Sequence, residues 1–233
     1  MKKNLVLIFF AFVTTVTYAQ RESKLENKKI AGISYVVKGG LNLSTMSIKD
    51  DNGTGSGDTK SKIGFHFGIT AEYPISKLVA FETGIFISSK GAKSHNINTY
   101  TGDLYESNST LNLLYLEIPL TAKTYFNVGQ AKIFGALGPY IGLGLSGKFK
   151  DESVINGETK SFEHNISWGS NRADDYKRLD YGLTTGAGIE ISSILIGLSY
   201  NLGLANISTR PDNGLKIKNR VFGVSVGYKF GRI

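Results

Sequence analysis

Arg220-Val-Phe-Gly-Val-Ser-Val-Gly-Tyr-Lys-Phe230 alternates without a break. Phe222, Val224, Val226, Tyr228 and Phe230 fall on one face, and Val221, Gly223, Ser225, Gly227 and Lys229 on the other. Strand side chains point to opposite faces with a period of two, so this segment has one greasy wall and one small or polar wall. In a soluble sandwich the greasy wall would meet a core. In a membrane barrel it meets lipid, and the small wall lines the lumen.

The same alternation recurs upstream. Outward sets expected from it are Ile63 to Tyr73, Val79 to Ile87, Leu114 to Ala122, Ile133 to Leu145, Tyr181 to Ile189 and Ile194 to Leu204, each taken at every second residue or nearly so. A less regular first strand is expected over about residues 33–44, giving eight strands in all. Each is near or above the roughly nine to eleven residues that a tilted membrane strand requires. Short turns at Pro74–Lys77, Asn127–Gln130 and Ile191–Ser193 alternate with long polar segments at 45–61, 91–110, 147–177 and 205–219. Outer-membrane barrels show this asymmetry, with short periplasmic turns and long extracellular loops. An even strand count then puts both termini in the periplasm. Tyr73, Phe81, Tyr125, Phe126, Tyr228 and Phe230 cluster near the short turns, as an interfacial girdle would. The expected fold class is all-β: an eight-stranded antiparallel transmembrane β-barrel of the outer-membrane type.

The N-terminus lies outside that domain. Lys2 and Lys3, the apolar run Leu5–Val16 and the small-x-small sequence Thr17-Tyr18-Ala19 form a secretory signal peptide pattern over residues 1–19. A short periplasmic segment over 20–30 and a barrel domain over 31–233 follow. Removing Lys2 and Lys3 from the formal charge of +8 leaves +6. Those charges are scattered and not gathered into a stripe, which argues against nucleic acid. They suit outer-membrane lipid and lipopolysaccharide as partners. The chain has no cysteine, so disulfides and thiolate metal sites are excluded.

Tyr115-Leu-Glu-Ile-Pro-Leu-Thr-Ala-Lys123, Asp180-Tyr-Gly-Leu-Thr-Thr-Gly-Ala-Gly-Ile-Glu190 and Asn219-Arg-Val-Phe-Gly-Val-Ser-Val-Gly-Tyr-Lys-Phe230 resemble the PorT-type, or outer membrane protein beta-barrel, family typical of Bacteroidota. A Glu-Ile-Pro inside a barrel strand is the most distinctive of these features. The Gly231-Arg232-Ile233 tail departs from the pattern, since many barrels end on the final aromatic. The resemblance implies an eight-stranded barrel in the cell outer membrane. It implies no single activity, although one founding member is associated with type IX secretion.

The inner wall collects Lys38, Glu72, Glu82, Glu117, Lys123, Asp180, Glu190 and Lys229. Buried charge needs a partner, so a structural polar network filling the lumen is expected, with separately hydrated charges as the alternative. Pro119 on the same wall cannot donate to a ladder and is expected to mark a bulge or a local break in pairing. His66 faces the lumen, and His95 and His164 lie in loops; no pair has metal-ligand spacing and no triad is placed by sequence. The stretch Asp50–Asp58 has a passing likeness to a calcium loop. Its twelfth position is Ser61 instead of Glu and strands flank it, so it reads as a surface loop. Trp168, the sole tryptophan, sits in the longest loop. It is either an exposed partner contact or a residue packed onto the rim or near the headgroups.

The sequence therefore leads to a non-enzymatic outer-membrane barrel without cofactor, structural or partner-binding through its long loops. A component of a type IX-like secretion assembly, with other envelope proteins as partners, and a narrow solute pore are the alternatives.

Overall fold

The computed structural model describes residues 32–51, 57–100, 103–155, 158–210 and 214–231. The signal sequence, the segment 20–30 and residues 52–56 of the calcium-like stretch lie outside them. The strands are β1 (Ser34–Lys49), β2 (Gly57–Asp58), β3 (Lys62–Pro74), β4 (Val79–Tyr100), β5 (Asp103–Val128), β6 (Ala131–Ile155), β7 (Glu158–Asn165), β8 (Leu179–Ile191), β9 (Ile194–Gly203) and β10 (Lys216–Phe230). Eight of them form one antiparallel ring in the order β1-β3-β4-β5-β6-β8-β9-β10, and β10 returns to pair with β1. Closure leaves no open edge in the ring, which is what a strand structure needs where no water can satisfy its backbone. β2 lies beside the far end of β1, and β7 pairs with the far end of β6.

The alternation decides which face is which. On β10, Phe222, Val224, Val226, Tyr228 and Phe230 are all exposed, while Val221 is buried on the inner wall. The same outward exposure holds for Ile63, Phe65, Phe67 and Ile69 on β3 and for Ile194, Ile196 and Leu198 on β9. Fully or nearly fully buried residues include Lys90, Lys123, Asp180, Glu72 and Glu190. Apolar outside and charged inside is the reverse of a soluble fold, and it matches a hydrocarbon surround.

Two connections at one end are two-residue turns. Gly129, between β5 and β6, takes φ 61° at no steric cost, whereas Ser192, between β8 and β9, takes φ 54° with a side chain in place. The third is held by Ser76, whose hydroxyl accepts the Leu78 and Val79 amides.

The other end departs from the expected loops. The polar segments 91–110 and 147–177 are in large part strand: β4 and β5 stay paired up to Tyr100↔Asp103, and β6 runs on to Ile155 before turning into β7. Together β4, β5, β6 and β7 form a sheet that projects past the ring. Polar side chains on both of its faces erase the two-colour alternation, so the sequence reads as loop. Likewise β1 runs to Lys49 and not to about residue 44.

Pro119 marks the local break in pairing expected of it, and no bulge. The β4–β5 and β5–β6 registers are the same before and after it, but its own rung with Gly84 and the Ile118 rung are missing toward β4, and the Leu120 and Thr121 rungs toward β6. The register shift in this wall lies at Leu114/Tyr115, opposite β6. There β6 turns its parity, so that Leu145 and Ser146 are both exposed while Phe149 packs inward.

Candidate functional site: the filled lumen and its roof

Near the short-turn end the lumen holds a continuous chain of alternating charge. Lys38 grips both oxygens of Glu82 at 2.7 and 2.8 Å. Glu82 also meets Lys123 at 3.1 Å, and Lys123 meets Glu72 at 3.2 Å. Glu72 continues to Lys229 at 3.2 Å, Lys229 to Glu190 at 2.6 Å, and Glu190 to Lys132 at 3.4 Å. These residues come from β1, β4, β5, β3, β10, β8 and β6, so one network ties seven of the eight ring strands together. Each carboxylate touches two ammonium groups, the arrangement that lets Coulomb attraction offset the large cost of removing charge from water.

Tyr125 belongs to this network, not to the interfacial girdle. Its ring is buried, its hydroxyl donates to Glu72 at 2.5 Å, and the Lys123 and Lys229 ammoniums lie 5.3 Å from its centroid. Lys123 also sits 4.3 Å from the Phe134 centroid. Val36, Ala80 and Leu195 complete the apolar packing there, Leu195 being the contribution of β9.

A second, separate cluster lies higher. Lys90 is wholly buried and pairs with Glu117 at 2.5 Å and Asp180 at 2.7 Å. Its ammonium is held between the Tyr115 and Tyr140 rings at 4.8 and 4.6 Å, positions where the ring quadrupoles favour a cation. Asn219 donates to Asp180 at 3.0 Å. Glu117 and Lys123 share a face of β5 yet belong to different clusters. Lys90 and Lys132 are the charged members of the two clusters that sequence reasoning missed, although the parity of Lys90 with Ala80, Glu82 and Ser88 already points it inward.

Between the clusters is a cavity of about 140 Å³ lined by both polar and apolar side chains. Lys38 and Glu82 bound it on one side and Glu117 and Tyr140 on the other. His66, whose Nδ1 lies 2.8 Å from the Asn42 amide oxygen, also lines it.

Above the Lys90 cluster the lumen is closed by an apolar roof. Met46, Ala92, Leu111, Leu113, Tyr115, Ala205 and Ile207 are buried together, with Phe149, Ile166, Trp168, Tyr176 and Ile217 packed on them. Trp168 stands edge-on to Tyr115 at 5.5 Å and fills the space above Gly144, where a Cβ would lie 2.6 Å from the indole. Trp168 thus lies over the lumen mouth. The loop carrying it interlocks with the loop after β9: the Lys177 amide donates to the Ile207 carbonyl, and the Thr209 hydroxyl donates to that of Asp174. Asp175 accepts the Ser167 amide and the His164 ring, both at 2.8 Å. Partial burial pushes its carboxyl up, but the Ser167 amide and His164 outweigh that and hold it below the usual aspartate range. In the projecting sheet, Ser107, Ser109 and Ser153 all donate to Asp151, and these hydroxyls lower its carboxyl in the same way. Among the described residues no group of three or more His, Cys, Asp or Glu side chains is placed to hold a metal ion.

An exposed apolar belt around a charged, closed lumen defines a membrane barrel. Residues 10–209 match the outer membrane protein beta-barrel domain, and the chain belongs to that family. Its place is therefore the outer membrane. No curated protein matches. Similar solved structures include the attachment invasion locus protein Ail of Yersinia pestis, at 18% identity over 86% of this chain and 100% of that one, with a TM-score of 0.34. The neisserial surface protein A is 15% identical over 85% and 99%, with a TM-score of 0.40. OprG of Pseudomonas aeruginosa is 14% identical over 86% and 97%, with a TM-score of 0.41.

Proposed function

We propose that this protein is a non-enzymatic outer-membrane anchor that presents its projecting sheet to a protein partner outside the cell. The single observation that carries this reading is the exposed strand β7. Every one of its side chains is exposed, and among the described residues it pairs only with β6, which leaves its other edge open to them. An unpaired edge offers a row of amides and carbonyls for an added strand. Phe162 stands exposed on it, stacked on His164 at 6.4 Å. The reading places the projecting sheet outside the cell and both termini in the periplasm, in keeping with the short turns at the opposite end.

The ionic chain and the roof serve here as structural plugs that keep the lumen closed, which disfavours the solute pore. The three stretches resembling PorT-type proteins support a place in that branch of the family and leave a secretion assembly as one setting for the partner. A photoreactive residue in place of Phe162 should give a discrete protein adduct in intact cells, and the same group at Val226 should give lipid adducts alone. Identical adduct patterns at the two positions would remove the proposal.

A further inference from the structure

The edge of β7 that faces away from β6 has a fixed phase. The Ile166 amide donates to the Gly147 carbonyl at 2.9 Å, and the pairs from Asn165↔Lys148 to Glu158↔Ile155 continue that register without a shift. Bonded and non-bonded pairs alternate in an antiparallel ladder, so the even-numbered residues of β7 direct their backbone groups to β6. Thr159, Ser161 and Glu163 turn theirs to the other edge. A second copy of β7 fits there. Two identical antiparallel strands pair about a two-fold axis, and the phase sets odd-numbered residues opposite odd-numbered ones. An axis at Lys160 opposes that lysine to itself, and an axis at Glu163 does the same for the glutamate, both like-charge rungs. An axis at Phe162 sets Lys160 against His164, and axes nearer either end leave most of the strand unpaired. With the axis at Ser161, Lys160 lies over the exposed Phe162 ring of the second copy, Glu158 faces His164 and Thr159 faces Glu163. No charge is then opposed to its like.

The axis also fixes how the two barrels stand. β4 and β5 run from the ring into the projecting sheet in one register, from Phe86↔Glu117 to Tyr100↔Asp103, so the sheet rises from the barrel wall. A two-fold axis normal to such a sheet inverts the second barrel. Barrels side by side in one membrane would run their β7 strands parallel, and an axis along the strands sets each charge beside its own copy. Height allows the inverted pair. Ser161 is opposite Glu152, and Leu145 is the last exposed apolar residue below it on β6. At about 3.4 Å per residue and a tilt near 45°, Ser161 stands roughly 17 Å above Leu145. Two such heights hold the apolar belts roughly 35 Å apart, more than two headgroup layers of about 5–8 Å each.

We propose that β7 is a self-recognising contact: it pairs antiparallel with β7 of a second copy in a facing membrane, joining the two projecting sheets into one. This names the partner left open by the function proposed above and rests on that reading.

The test uses two populations of phosphatidylcholine vesicles, each holding the full-length barrel with a different tag. Wild-type vesicles should cluster. With a short bifunctional thiol reagent, S161C should link chains from separate populations; the natural chain has no cysteine to interfere. N108C, on the same face but two strands further in, should give no such link. K160E alone sets an acid against Phe162, and F162K alone sets two cations face to face. Each should weaken clustering roughly two- to thirtyfold, because two rungs are lost per pair. Mixing K160E vesicles with F162K vesicles should restore it, since acid then meets lysine across the axis. A mixture no better than either variant alone would overturn the proposal. So would S161C links that are absent or confined to chains of one membrane. If the photoreactive residue at position 162 captures a different protein in intact cells and no second copy, self-pairing falls while the partner reading stands. If it captures no protein, both fall.

Discussion

The two charged regions of the lumen solve one problem in different ways. Near the short turns, charge is spread along a chain in which every carboxylate has two cationic neighbours, and Lys132 at its end is more than a third exposed. Around Lys90 a single, wholly buried cation serves two carboxylates, and two aromatic rings flank it. A chain can lose one link and redistribute. A hub cannot.

That contrast predicts unequal losses. We expect K90M to cost about 3–5 kcal/mol, because it strands Glu117 and Asp180 with no cation. K38M should cost only about 1–2 kcal/mol, since Glu82 keeps Lys123. Denaturant titration of the barrel in lipid vesicles reads both values; equal losses would break the distinction between hub and chain. A next, smaller effect is expected at the roof. W168A removes a half-buried indole and should cost about 2 kcal/mol, while G144V should displace the same indole without deleting it. Because Trp168 is the sole tryptophan, the emission of G144V should shift to the red if the seat over Gly144 is real. Unshifted emission would mean the indole is held elsewhere.

The smallest effect concerns pH. Asp175 is held below its ordinary range in the folded loop. A depressed carboxyl contributes stability that is present above the unfolded value, near pH 4, and is lost as pH falls through the folded value. Acidification below about pH 4 should therefore loosen the Trp168 loop, by about 1 kcal/mol at most for so exposed a group. D175N should show the loosened emission already at neutral pH and lose the acid transition. An acid transition that persists unchanged in D175N would assign it to other groups.

Much of the ring was legible because its two faces differ in chemistry at every second residue. Phe222 to Phe230 needed only parity to be placed outward. Parity also reached Lys90 and Tyr125, yet both were obscured by their surroundings. Lys90 stands where the greasy partners of β4 give out, at Ser88-Ser89-Lys90, and Tyr125 stands beside the outward Phe126 near a turn. The projecting sheet was not legible, because above the membrane neither face must be apolar and strand and loop look alike. Which lysine meets which glutamate was not legible either: Glu117 and Lys123 are six residues apart on one face, but their partners come from strands far away in sequence.

The central claim is that the lumen is filled and the work is done outside it. Single-barrel recordings in a planar bilayer test this most directly. The account predicts no conductance above the bare membrane for the natural chain at neutral pH. Discrete, reproducible openings of that chain would contradict it.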